Sequence, residues 1–138
     1  MSNLVTVVIH SYNRYEYLSN AIKSVLNQTM DDYEIILIND ESTDERYYKN
    51  NFGKKVKQID IRRNKNPRWT GSRQALINIG IENANGKYVA LLDDDDLWLE
   101  KKLEIQIGEM ENNYYKFSST EGYFGLGKYS DKEQYPLY

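Results

Sequence analysis

Apolar residues in this chain come in short runs separated by polar clusters, and their spacing switches repeatedly between two periods. Residues 4–9 (Leu-Val-Thr-Val-Val-Ile) form a nearly continuous β-branched run, the pattern of a strand covered on both faces of a sheet. Residues 33–38 and 56–61 predict a second and a third strand. Residues 88–92, set off by Gly86, are too few for a helix and predict a buried fourth strand. Between the strands the spacing turns helical. Leu18, Ala21, Ile22, Val25 and Leu26 share one face, as do Ala75, Leu76, Ile79 and Ala84, and then Leu99, Leu103, Ile107 and Met110 on a helix from about residue 97. Asn13 with Glu16, and Ser42 with Glu45, have the spacing of capping boxes, the second opening a short helix to about residue 51. Gly53 marks a turn, and Gly86 after Asn85 predicts a left-handed helix stop. Residues 116–120 offer a fifth strand, and 122–138 have the weak periodicity of a loop. Strand and helix alternate, which predicts an α/β domain with a mainly parallel sheet, flanking helices and right-handed crossovers.

Polar clusters follow the first, second and fourth strands, at residues 10–13, 39–44 and 93–96. In a doubly wound parallel sheet all three lie at one edge, where a single ligand can touch them. The last cluster is a row of four carboxylates, Asp93 to Asp96, before Trp98. Two readings stay open for it: a solvated acidic turn leading into the next helix, and a site for a divalent cation. Its position directly at the end of an apolar strand favours the cation, with Mg²⁺ or Mn²⁺ held by one or two carboxylates and by phosphate oxygens of a substrate.

Composition narrows the function classes. The length of 138 residues suits one domain with its own core. Hydrophobic content of 40% and charged content of 28% are those of an ordinary globular chain, and a net charge of −3 argues against nucleic acid as a partner. The absence of cysteine excludes disulfides and thiolate metal sites. No apolar run approaches the roughly 20 residues of a membrane span, and no basic-then-apolar leader precedes the first strand, so a cytoplasmic location is expected. Several catalytic templates fail. Gly80 to Lys87 is spaced one residue too long for a phosphate loop and runs into a strand. No G-x-G-x-x-G follows the first strand. A calcium loop starting at Asp93 would need Gly at Trp98, and an aspartyl-phosphate phosphatase would need Thr or Val at Leu97.

Four motifs in order, residues 7–14 (Val-Val-Ile-His-Ser-Tyr-Asn-Arg), 36–44 (Ile-Leu-Ile-Asn-Asp-Glu-Ser-Thr-Asp), 71–81 from Gly-Ser-Arg to Asn-Ile-Gly-Ile, and 92–98 (Leu-Asp-Asp-Asp-Asp-Leu-Trp), resemble the family-2 nucleotide-sugar glycosyltransferases of GT-A fold. The resemblance implies a Rossmann-like nucleotide-sugar-binding fold. It also implies metal-dependent, inverting transfer of a sugar from a nucleoside diphosphate donor, commonly a UDP-sugar, to a hydroxyl of a glycan, protein or lipid acceptor. Carried over to matching positions, His10, Ser11 and Tyr12 cradle the nucleoside with Arg14 nearby. Asp40 bonds the uracil and Arg73 lies near the phosphates. Asp95 is the direct metal ligand, with Asp93 or Asp94 on ribose or metal-bound water, and Asp93 also a candidate ligand to the metal. Position 10 is usually Pro in the family, and position 39, here Asn, is often Asp. The family's general base belongs to a later, acceptor-binding part, and Asp131 and Glu133 stand in no recognisable motif. Residues 1–138 are therefore expected to be one donor-binding domain that lacks the acceptor half. The alternative is a nucleotide-sugar-binding module without transfer activity of its own.

Overall fold

In the structure, a computed structural model, residues 3–62, 72–125, 130, 132, 134, 136 and 137 are described. Most of the basic loop at 62–68, together with Gly71, Asp131 and Glu133, lies outside them. The elements run β1 (Val5–Ser11), α1 (Tyr15–Leu26), β2 (Tyr33–Asn39), α2 (Arg46–Lys49), β3 (Val56–Asp60), α3 (Arg73–Glu82), β4 (Tyr88–Asp93) and α4 (Lys102–Asn113). The strands form a parallel sheet in the order β3-β2-β1-β4, so the expected neighbours β1 and β4 pair, with His10 opposite Asp93. On the other side of β1, Ser11 stands opposite Asn39.

Alternation along β1 divides the core in two. Val5, Val7 and Ile9 point into a layer built with Leu18, Ala21, Ile22 and Val25 of α1 and Leu103, Ile107 and Met110 of α4. The other layer joins Ile36 and Ile38 of β2 to Ile61 and to Leu76 and Ile79 of α3. A Cβ on Gly80 would come 2.3 Å from a Val8 methyl, so α3 can lie this close to β1 only with glycine there.

Five sequence expectations are corrected. The fourth strand is half-covered: Leu92 is buried, but Val89 is 39% and Leu91 50% exposed. β4 is the outer strand of the described sheet, and α3 covers β1 and β2 instead. Gly86 is no left-handed stop, since among the described residues only Gly53 is a glycine with positive φ. A Cβ at Gly86 would meet the Thr6 backbone nitrogen at 2.5 Å, so close approach to β1 requires the glycine. α4 begins five residues after Leu97, because the end of α1 holds the intervening backbone. Trp98 N–H donates to Ser24 Oγ, Gln28 Nε2 donates to the Leu99 carbonyl, and Gln28 Oε1 then accepts from Leu103 N–H in the first turn of α4. Residues 116–120 form no strand, and Phe117 is 83% exposed. The nearest strand-like pairing is an isolated antiparallel bridge between Tyr123 and Leu137.

Neither capping box forms, which is the fifth correction. Asn13 takes a positive φ of 51° and turns its side chain away from its own helix. Its Oδ1 accepts from the N–H groups of Thr43 and Asp44, at 2.8 and 3.2 Å, while its own N–H donates to Ser42 Oγ at 3.0 Å. Two residues that local spacing assigns to separate helix starts instead clamp the β1–α1 loop to the β2–α2 loop.

Candidate functional site

Parallel strands bring their carboxyl ends to one edge, and the three expected polar clusters meet there. Asp40, 5% exposed, closes the end of β2 by donating its N–H to the Ser11 carbonyl at 3.0 Å. Beside it Asn39 is fully buried, donating to Asp60 Oδ1 at 2.8 Å and accepting from Ser42 N–H at 3.1 Å. Tyr12 stands half-exposed in the loop after β1. The carboxylate row forms a tight turn, with Asp96 N–H donating to the Asp93 carbonyl at 3.1 Å.

Within that turn the four acids separate by role. Asp93, Asp95 and Asp96 offer oxygens that lie within 4.8 Å of one another on the solvent side. Asp94, 4% exposed, turns inward and accepts from Ser11 Oγ at 2.7 Å. Burial raises the Asp94 carboxyl above its ordinary range, against the Ser11 hydrogen bond and Arg14. Asp96 is also raised, by burial and then by Asp95 and Asp93, so its neighbours resist a further charge.

Two arginines already face these acids. Arg14 donates to Asp95 and stands 3.4 Å from Asp94. Arg73, the first residue of α3, pairs with Asp93. A cation at a helix start is disfavoured by the macrodipole, so Asp93 compensates the position. His10 lies on the α3 face of β1. Its Nε2 is buried without a hydrogen-bond partner, and burial, with Arg73 beside it, holds the imidazole below its usual pKa against the pull of Asp93, Asp94 and Asp40.

The structure therefore brings His10, Tyr12, Arg14, Asp40, Arg73, Asp93 and Asp95 to one edge, and turns Ser11 and Asp94 into the loop's interior. Asp96, Tyr47 and the Asn13 clamp were missed from sequence. Asp96 had no such signal: alternation carried on from buried Leu92 places Asp94 inside and Asp93 and Asp95 outside, and Asp96, of the same parity as Asp94, reaches the solvent side through the turn that follows Asp93. Tyr47 had no local signal, because the partners of its hydroxyl lie more than thirty positions away.

The chain is a parallel α/β sheet with a loop-built polar site beyond the carboxyl ends of its strands, the edge where ligands bind in open α/β sheets. The chain belongs to the glycosyl transferase family 2, which it matches over residues 6–135. A glycosyltransferase of Rickettsia bellii is 43% identical over 116 residues, covering 84% of this chain and 16% of the relative. The Escherichia coli UDP-Glc:alpha-D-GlcNAc-diphosphoundecaprenol beta-1,3-glucosyltransferase WfgD is 34% identical, covering 83% and 44%. Among solved structures, S. aureus TarS 1-349 in complex with UDP-GlcNAc superposes with a TM-score of 0.65 at 20% identity, covering 80% of this chain and 32% of TarS. The mannosyltransferase PcManGT from Pyrobaculum calidifontis, in complex with GDP-Man and Mn²⁺, gives 0.55 at 20% identity, covering 71% and 29%. At that identity the two structures support the fold alone. The chain thus spans less than half the length of each of these relatives. No helix among the described residues is long and apolar enough to cross a membrane.

Proposed function

We propose that residues 1–138 are the donor-binding part of a metal-dependent, inverting glycosyltransferase that uses a nucleoside diphosphate sugar, in first place a UDP-sugar. The observation that carries this reading is the convergence of Asp93, Asp95 and Asp96 at the end of β4, on the edge that also holds Asp40, Arg14 and Arg73. Three hard oxygen donors fit Mg²⁺ or Mn²⁺, with Asp95 the principal ligand and Asp93 and Asp96 beside it. When bound, the cation neutralises charge on the departing diphosphate as a Lewis acid. The chain's own residues do the rest. Tyr12 packs on the base and Asp40 accepts a hydrogen bond from it. Arg14 and Arg73 exchange their carboxylate partners for phosphate oxygens. His10, opposite Asp93 on the neighbouring strand, lines the site beside the carboxylate turn. Ser11 and Asp94 shape the loop from within. The acceptor hydroxyl needs a general base, and this step falls to a part of the protein outside residues 1–138, as does recognition of the glycan, protein or lipid acceptor.

The test is calorimetric titration of UDP into the chain and into Asp95→Asn and Asp40→Ala, each with Mn²⁺ and with chelator. UDP should bind better with Mn²⁺. Asp95→Asn should remove most of that gain, and Asp40→Ala should weaken binding in both conditions. Equal affinity of the unmodified chain in Mn²⁺ and in chelator removes the metal from this reading.

A further inference from the structure

We propose that Tyr47 is a positioning residue for the diphosphate, acting through Arg14. This rests on the donor-site reading above. Tyr47 belongs to α2, just past the loop that carries Asp40, and is 1% exposed. Its ring packs edge-on against Tyr15 at 5.7 Å, and Gln58 on β3 donates to its carbonyl at 2.9 Å. Its hydroxyl reaches across to the β1 loop. There it accepts from Arg14 N–H at 2.9 Å and lies 2.5 Å from Ser11 Oγ.

The proton directions follow from counting. Ser11 has one hydroxyl proton and gives it to Asp94 Oδ2, an acceptor when ionised. The short contact between Ser11 and Tyr47 must then be donated by Tyr47. The bonds form a closed circuit: Arg14 N–H to Tyr47, Tyr47 to Ser11, Ser11 to Asp94, and the second Asp94 oxygen facing the Arg14 guanidinium at 3.4 Å. Both the main chain and the head group of Arg14 are held by it, and Tyr47 is the one member contributed by the base side of the site. Without its hydroxyl, Ser11 loses a donor and the Arg14 N–H loses its acceptor, both in the interior of the loop. The expected consequence is a misplaced phosphate arginine beside an intact base contact.

The experiment compares UDP with uridine, both in Mn²⁺, for the unmodified chain and Tyr47→Phe. UDP should weaken by about tenfold, the size expected for a buried hydrogen-bonding group left unpaired, while uridine stays within about twofold. Loss of both to the same degree, or of neither, overturns the role of Tyr47 and leaves the donor reading standing. Failure of the unmodified chain to take up UDP overturns the donor reading and the proposal with it. A second measurement needs no variant. Exchange of the Arg14 amide hydrogen in the unmodified chain should slow with UDP and Mn²⁺ and not with uridine, and an equal response to the two overturns the proposal even where Tyr47→Phe fails to fold.

Discussion

On the donor-site reading proposed above, Arg14 and the cation compete for the same carboxylate, so replacing Arg14 by Ala should push two affinities in opposite directions. The guanidinium donates to Asp95 and faces Asp94 at 3.4 Å. Two unit charges at about 4 Å and an effective dielectric near 20 attract by roughly 4 kcal/mol. Arg14 and Asp95 are 45% and 46% exposed, however, and pairs in that setting are worth about 1 kcal/mol once solvent screens them. The smaller figure decides the expectation. A cation arriving without nucleotide must displace Arg14, and Arg14→Ala spares it that cost, so Mn²⁺ alone should bind about fivefold more tightly to the variant. With nucleotide present the sign reverses. The displaced guanidinium turns to the diphosphate, where a charge-assisted hydrogen bond is worth about 1.5–3 kcal/mol, so UDP in saturating Mn²⁺ should bind at least about tenfold more weakly to the variant. Calorimetry of Mn²⁺ alone, and of UDP at fixed Mn²⁺, measures both. Affinities that move in the same direction refute the exchange of partners.

Three further expectations concern the scaffold. Gly86→Ala should cost about 1–3 kcal/mol in urea unfolding, because the new methyl meets the Thr6 backbone at 2.5 Å within a paired strand that cannot retreat. Asp94→Ala should lower stability by about 1–3 kcal/mol by leaving the buried Ser11 hydroxyl without its acceptor, whereas Asp95→Ala, at an exposed neighbour, should change stability by less than about 0.5 kcal/mol in the same assay. Burial pushes Lys102 down to about 8, with its ammonium 3.8 Å from the Trp98 ring centroid. Its folded value lies below the unfolded one, so the unfolded chain binds more protons between about pH 8 and 10.5 and the stability of the folded state rises across that window. Lys102→Met should therefore melt higher than the unmodified chain at pH 7, and the gap should close by about pH 10.5. A gap that is constant in pH contradicts the burial of the ammonium.

The fold was legible wherever one residue's environment is set by its near neighbours in sequence. Four strands, three longer helices and their order follow from the two hydrophobic periods, because burial of one face is what both the pattern and the packing express. The misreadings share a cause, which is competition from a partner distant in sequence. Asn13 and Ser42 have good capping chemistry, but each finds its hydrogen bonds in the other's loop, some thirty residues away. Gly86 is a plausible helix stop by composition, yet the sheet requires its missing side chain eighty residues from Thr6. The start of α4 is delayed by the side chains of Ser24 on α1 and of Gln28 just past its end. None of these partners lies within the window over which a period is read.

The carboxylate row shows how far a local rule carries into the site. Four adjacent acids look equivalent in sequence, and a solvated turn would leave them so. A strand does not, because its two-residue alternation runs past its last hydrogen bond into the turn. Leu92 and Asp94 share the α1 side, and Ser11 on β1, continuing the face of Ile9, waits there with a hydroxyl. Asp93 falls on the α3 side, where Arg73 at the helix start meets it, and Asp95 turns out to Arg14. The same alternation that packs the core thus separates Asp94, which ties the loops together, from Asp93 and Asp95, while the turn after Asp93 carries Asp96, of Asp94's parity, to the solvent side. Burial, and then the charges of Asp95 and Asp93, raise the Asp96 carboxyl, and the arginines paired with Asp95 and Asp93 offset part of that crowding. Arg14 and Arg73, by pairing with Asp95 and Asp93, hold part of this turn in shape, and on the donor-site reading they are the groups that would turn to the phosphates.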